Sequence, residues 1–111
     1  VNAARVSAPS LQTPAMGQMT AEAPDQVVLG GSYPNPFNPR TTIRFALPDV
    51  QHVVLAVYDM VGRRVSVLAD GVLSAGHHEA QFDAASLPSG MYLYKLSTIS
   101  GTFVGTTILM K

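Results

Sequence analysis

The chain has 111 residues, which is room for one ordinary domain and too little for two. Seven Lys and Arg balance seven Asp and Glu, so the chain has no net charge with which to attract nucleic acid, an anionic membrane or an acidic substrate. Cysteine is absent, which excludes a disulfide framework and a thiolate metal site, and no apolar run approaches the roughly 20 residues that span a bilayer.

Residues 1–26 have the composition of a linker. They are rich in Ala, Ser, Thr, Gln and Pro and show no sustained hydrophobic period. Such a segment buries too little apolar surface to offset the entropy of ordering its backbone, so we expect it to be flexible. A short helix starting at Met16 or Met19 is the alternative, which Pro14 and Pro24 would confine.

From residue 27 onward the pattern is that of an all-β domain. Short β-branched and aromatic runs are separated by Gly, Pro, Asn, Asp and Ser at intervals of about ten residues, which is typical of a sandwich or barrel. The predicted strands are 41–47, 52–59, 63–68, 77–83, 91–99 and 102–110, and a first strand at 27–29 would raise the count from six to seven. No segment of this part carries a sustained helical period.

Two of these strands have informative faces. In 41–47, the side chains of Ile43, Phe45 and Leu47 share one face, which predicts a half-buried strand. Segment 52–59 is apolar on both faces, which predicts a central strand of a sheet.

The turn signals predict two hairpins. Gly62 is suited to the tight turn after 52–59, and residues 100–101 supply the turn of a second hairpin near the end of the chain. Asp70 and Gly71 are expected in the connection that follows 63–68.

Residues 33–39 contain three prolines, which fix φ and lack an N–H group, so the segment is expected to be extended and not to form a central strand. Phe37 is placed to plug one end of the sandwich, and the two asparagines are placed to bond the turning backbone. A rigid clamp for the fold is favoured over a ligand site. Calcium binding by the Asn and backbone oxygens stays open, although no Asp ladder accompanies them.

Residues 87–92 are predicted to form the corner that leads into strand 91–99. Such corners in immunoglobulin-like domains carry a tyrosine whose hydroxyl bonds to the nearby backbone, and Tyr92 is the candidate.

Catalytic residues are not predicted, and neither is a cofactor or metal. His77 and His78 are adjacent on a strand, so their side chains point to opposite faces and do not converge on one ion with His52. Ser89 does not lie in a nucleophile elbow, and Asp59 is best interpreted as a turn residue and Glu79 as a surface residue. The sequence therefore predicts a protein that is not an enzyme.

The ordered series of motifs carries a family resemblance over most of the chain. Its residues are Pro34, Asn35, Pro36, Phe37, Asn38, Pro39, Gly62, Gly76, Pro88, Gly90 and Tyr92, with the closing Ile108, Leu109, Met110 and Lys111. In this order they resemble the type A C-terminal sorting domain of the type IX secretion system of Bacteroidetes and related Gram-negative bacteria. The immunoglobulin-like region of flagellar hook-capping proteins is a related group.

The resemblance implies an immunoglobulin-like sandwich over residues 27–111, joined by the linker 1–26 to an upstream cargo domain. It implies recognition by outer-membrane secretion machinery after the precursor reaches the periplasm, and removal by a sortase-like peptidase on the way to the cell surface or extracellular space. The chain begins at Val1 without a secretory signal pattern, so we expect it to be a piece of a longer precursor.

The last predicted strand, 102–110, is expected to be an edge strand, which can pair with a partner's sheet. The alternative is that this strand simply closes the sandwich, and the two roles are compatible. Residues 108–111 are therefore the candidates for recognition by the translocon. Removing residues 109–111 is expected to block export and leave a folded domain.

Two other functions compete with a sorting signal. One is a spacer or carbohydrate-binding module of an extracellular enzyme, although Trp, a common residue of flat sugar-binding faces, is absent. The other is a flagellar hook-cap domain.

Overall fold

The computed structural model describes residues 23–111, which form seven β-strands and no helix. The strands are β1 (Val28–Tyr33), β2 (Arg40–Leu47), β3 (Gln51–Tyr58), β4 (Arg64–Leu73), β5 (Gly76–Asp83), β6 (Gly90–Thr98) and β7 (Gly101–Leu109). The predicted all-β class and strand number are confirmed. Most of the predicted linker 1–26, with Met16 and Met19 of the alternative helix, lies outside the described residues. Within residues 23–111 no helix is long and apolar enough to cross a membrane.

The strands form two antiparallel sheets that pack face to face. One has the order β1-β2-β5 and the other the order β4-β3-β6-β7. This is the arrangement of strands A, B and E opposite C′, C, F and G in immunoglobulin-like domains. The prediction of an immunoglobulin-like antiparallel sandwich is therefore confirmed.

Alternate residues of both sheets build the core. Ile43, Phe45 and Leu47 of β2 are buried on their common face, as the sequence predicted. β3 lies between β4 and β6, which confirms its predicted central position and explains why it is apolar on both faces. The other large buried side chains of the core are Phe37, Val53, Leu55, Val57, Phe82, Tyr92, Tyr94, Leu96 and Leu109.

Both predicted hairpins are present. Between β3 and β4 the N–H of Gly62 donates to the carbonyl of Asp59 at 3.0 Å, and Gly62 has a φ of +89°. Glycine suits this position because other residues rarely adopt a positive φ. The second hairpin joins β6 to β7, with Thr98 paired to Gly101 at its closed end.

β4 is longer than the sequence predicted. Asp70 and Gly71, which were expected in a connection, lie inside β4 and pair with Val54 and Val53. The long central strand β3 offers hydrogen-bonding partners along its whole length, and this pairing outweighs the local turn preference of Asp and Gly. The β3–β4 ladder has two register shifts, between Leu55 and Ala56 and between Val57 and Tyr58.

Candidate docking surface

Four of the sequence motifs meet at one end of the sandwich. They are the proline segment 33–39, the turn at residues 59–63, the corner at 87–92 and the residues 108–111. We call this region the motif end. Gly76 is the exception among the motif residues, because it pairs with Leu47 at the opposite end.

The proline segment is fastened along the last residues of β7. The N–H of Phe37 donates to the carbonyl of Ile108 at 2.8 Å, and the N–H of Met110 donates to the carbonyl of Phe37 at 2.9 Å. The N–H of Ile108 donates to Oδ1 of Asn35 at 3.0 Å. The segment therefore acts as a short parallel strand that covers this part of the β7 edge.

Phe37 fixes the segment to the core. Its side chain is buried, and its ring centroid lies 5.7 Å from that of Phe82. On the other side of the segment, the hydroxyl of Thr41 donates to the carbonyl of Pro34 at 2.8 Å, and the N–H of Ala84 donates to the carbonyl of Pro39 at 2.8 Å. Pro36 and Asn38 are exposed.

The corner at 87–92 lies against the same end of β7. The hydroxyl of Tyr92 donates to the carbonyl of Pro88 at 2.6 Å, which is the hydrogen bond predicted for it. Gly90 pairs with Leu109 and has a φ of +152°. The N–H of Lys111 donates to Oγ of Ser89 at 3.0 Å, so the corner holds the residue that follows the strand.

A shallow hollow of about 470 Å³ separates the turn from the corner. Met60, Val61 and Met91 contribute to its apolar lining. At its rim the Asp59 carboxylate accepts hydrogen bonds from the N–H and the Nε of Arg63, both at 2.9 Å. The backbone bond from Arg63 lowers the pKa of Asp59 most, so this carboxylate stays charged and holds the turn in shape.

The motif end exposes apolar side chains. Among the large hydrophobic residues exposed in the described chain, half lie in or beside the four motifs: Tyr33, Met60, Val61, Met91, Ile108 and Met110. Three of these are methionines, whose flexible thioether side chains adapt to a partner's surface. Met60, Val61 and Met91 were not predicted as site residues, and their position beside turn residues is the one signal for them in the sequence.

The candidate recognition residues 108–111 differ in what they present. Leu109 is buried in the core, and the backbone of Ile108 is already bonded to the proline segment. Only the side chains of Ile108 and Met110 and the exposed Lys111 reach the surface, and Nζ of Lys111 donates to the carbonyl of Ala85 at 2.6 Å. The structure thus differs from the expectation that these residues offer a free strand edge. Removing residues 109–111 would also remove a core side chain.

The histidines are not brought together. His52 contacts Asp70 at 3.2 Å, His77 is exposed, and the ring of His78 stacks on Phe45 with centroids 5.3 Å apart. In residues 23–111 no three His, Asp or Glu side chains are arranged to hold a metal ion.

The other polar candidates have structural partners. The Glu79 carboxylate pairs with Arg44 at 3.0 Å on the three-stranded sheet, away from Asp59. Ser89 accepts its hydrogen bond from Lys111.

The fold defines a class, an immunoglobulin-like β-sandwich, and one end of this sandwich exposes several apolar side chains. A family model described as a secretion system C-terminal sorting domain matches residues 32–110. The chain belongs to this family, and it is a sorting domain of type IX secretion. The family is non-catalytic, and its signal directs export to the cell surface or extracellular space.

No curated protein matches the chain. The family match does not support the predicted relation to flagellar hook-capping proteins.

Proposed function

We propose that residues 27–111 are the C-terminal secretion and cell-surface sorting signal of a larger secreted protein, read by the type IX machinery through the motif end. The observation that carries this proposal is the meeting of four motifs at one end of the sandwich, where Met60, Met91 and Met110 are exposed. Evolved monomer surfaces rarely keep apolar side chains clustered without a partner.

The partners follow from this role. Outer-membrane components of the secretion machinery bind the folded domain after the precursor reaches the periplasm. A sortase-like peptidase then cuts between cargo and signal. We place this cut in residues 1–26, because their composition predicts a linker and proteases need extended, unpacked backbone.

The domain itself carries out no reaction in this proposal. The polar side chains considered for catalysis have separate structural partners: His78 bonds the carbonyl of Ser74 at 2.8 Å, and Asp59 holds its own turn. The motif residues position backbone and apolar side chains, which suits binding of a protein.

The test is export of a passenger. Residues 1–111 are fused behind an inert, periplasm-targeted reporter in a bacterium with a type IX secretion system and in a matched strain without one, and residues 27–111 are fused in parallel. We expect both fusions to reach the surface or the medium only in the first strain. Retention of both fusions in the periplasm of that strain would contradict the proposal.

A carbohydrate-binding module is the competing function, and the tyrosines speak against it. Such modules present aromatic rings on an exposed face. Here Tyr92 and Tyr94 are buried, Tyr58 is half-buried beneath the Lys95 ammonium group, and Tyr33 alone is well exposed. Export of the passenger would also distinguish a sorting signal from a hook-cap domain or a passive spacer, since neither of these directs secretion.

A further inference from the structure

The edge of β7 is covered at one end only. β7 is an edge strand of the four-stranded sheet. Near its end, Asn35 and Phe37 occupy the outward backbone groups of Ile108 and Met110. Any further strand that pairs with β7 must therefore stop before Ile108.

The preceding stretch of β7 is open. The β6–β7 ladder has no register shift, so backbone groups alternate regularly along β7 between β6 and the outer edge. The N–H and C=O groups of Ile108 point away from β6. The backbone groups of Thr102, Val104 and Thr106 therefore point away from β6 as well. In the described residues no strand pairs with this side of β7.

The other three sheet edges carry features that discourage pairing. β1 has six residues and a register shift at Gly30 and Gly31. β4 contains Arg64 and Asp70 and two register shifts. β5 carries charged side chains such as Glu79. Short length, bulges and charges are the usual means by which proteins protect strand edges.

β7 has none of these features. Its nine residues include no charged side chain and no proline. On the face of β7 that is turned away from the core, Val104 is 58% exposed, and the side chain of Ile108 lies further along the same face. A strand added here places alternate side chains beside Val104, which favours uncharged, apolar residues at those positions.

We propose that β7 accepts an extended, uncharged strand of the outer-membrane secretion machinery alongside residues 102–106, with the proline segment as the stop that fixes its register. The identity of this partner rests on the proposed function. A second copy of the chain fits less well, because β1 lies over β7, with Ser32 Oγ 2.9 Å from Thr107 Oγ1. If the β7 strands of two copies paired, the β1 strands of the two copies would be brought against each other. A single extended strand carries no second sheet, so it does not meet this obstacle.

Two variants of the reporter fusion with residues 1–111 test the edge. Val104→Lys places a charge beside the open edge, and Thr106→Pro removes an outward N–H that has no partner strand. Val72→Lys is the matched control, because Val72 is 68% exposed in β4, the other edge strand of the same sheet. Urea unfolding of the purified chains checks that each variant is folded. If Thr106→Pro is not folded, Val104→Lys alone tests the proposal.

We expect export of the Val104→Lys fusion to fall at least tenfold, with Val72→Lys exported like the parent. Unchanged export of Val104→Lys would overturn the strand-acceptor proposal and leave the sorting function standing. An equal loss with Val72→Lys would also overturn it, because the effect would not be specific to β7. If the parent fusion itself is not exported, the proposed function is wrong, and the identity of the partner falls with it.

Photo-crosslinking in the cell identifies the occupant. A photoreactive residue at position 104, and at position 72 as control, is activated during export, and the joined peptides are sequenced. We expect position 104 alone to join a segment of an outer-membrane secretion component. A crosslink to a second copy of the chain, or to no secretion component, would overturn the proposal.

Discussion

At the scale of single residues, a small polar network crosses the sandwich. The Tyr94 hydroxyl donates to the carbonyl of Gly30 at 3.1 Å, and Ser32 donates to the buried Thr107 at 2.9 Å. These bonds link β1 to β6 and β7 across the interface between the sheets. Buried polar groups need such partners, because an unpaired one costs about 1–3 kcal/mol.

Gly105 leaves room for the Tyr94 ring. A Cβ on Gly105 would lie well inside contact distance of that ring, so we expect Gly105→Ala to destabilise the fold by about 1–3 kcal/mol. Urea unfolding measures the change. Gly31→Ala is the control, because its Cβ would meet no atom and its φ is not positive. A stability loss as large in Gly31→Ala would show that the Tyr94 contact is not the cause.

Tyr94 also makes the stability of the fold depend on pH. Burial raises the pKa of Tyr94 above its ordinary value, with a smaller opposing effect of the nearby Ser32 hydroxyl. The neutral phenol is therefore favoured in the folded state. Its contribution to stability is complete below the unfolded pKa of about 10 and is lost as the pH rises through the higher folded pKa.

The ultraviolet absorbance of tyrosinate measures this titration. We expect a component above the ordinary tyrosine pKa that Tyr94→Phe removes. If the titration curve of Tyr94→Phe keeps that component, the assignment to Tyr94 is wrong.

Tyr92→Phe tests the hydrogen bond at the corner. The variant keeps the buried ring and loses the bond to the carbonyl of Pro88, so we expect the free energy of unfolding to fall by about 1 kcal/mol. Tyr33→Phe is the matched control, since Tyr33 is 77% exposed. An unchanged unfolding midpoint in Tyr92→Phe would refute the role of the hydroxyl.

At the scale of elements, the strands were largely predictable because alternation and turn residues act locally. The face shared by Ile43, Phe45 and Leu47 and the two hairpins were read from such signals. The extent of β4 was not, because its pairing with β3 continues through Asp70 and Gly71. Local turn chemistry competes with long-range hydrogen bonds there, and only the fold shows which prevails.

Phe37 is the side chain that anchors the proline segment in the core, beside the backbone hydrogen bonds that fasten the segment to β7. Phe37→Ala leaves a cavity beside Phe82 and removes a ring from the core, so we expect a loss of about 3–5 kcal/mol in unfolding free energy. Thermal unfolding of the purified chain measures it. Asn38→Ala serves as control, because Asn38 is exposed in the same segment. A loss below about 1 kcal/mol would mean that the neighbouring side chains refill the space, and that Phe37 is not the anchor.

At the scale of the whole molecule, the site depends on strand order. Residues 33–39, 59–63, 87–92 and 108–111 are far apart in the sequence, and each was predicted as a separate turn, clamp or strand end. They meet because β7 pairs with β6 while the proline segment returns across the end of the sandwich. The sequence pattern predicted the class and the motif residues, but their meeting follows from which strand ends the topology places together.

Docking at the motif end predicts an effect on export without an effect on stability. Met91 is 43% exposed and lines the hollow, so Met91→Glu places a charge in the proposed interface at little cost to the fold. Its free energy of unfolding should change by no more than about 0.5 kcal/mol. Export of the reporter fusion should fall at least tenfold, because a buried unpaired charge opposes binding. Val50→Glu, 65% exposed at the opposite end, should be exported normally. If Met91→Glu and Val50→Glu were exported equally, the recognition surface would not lie at the motif end.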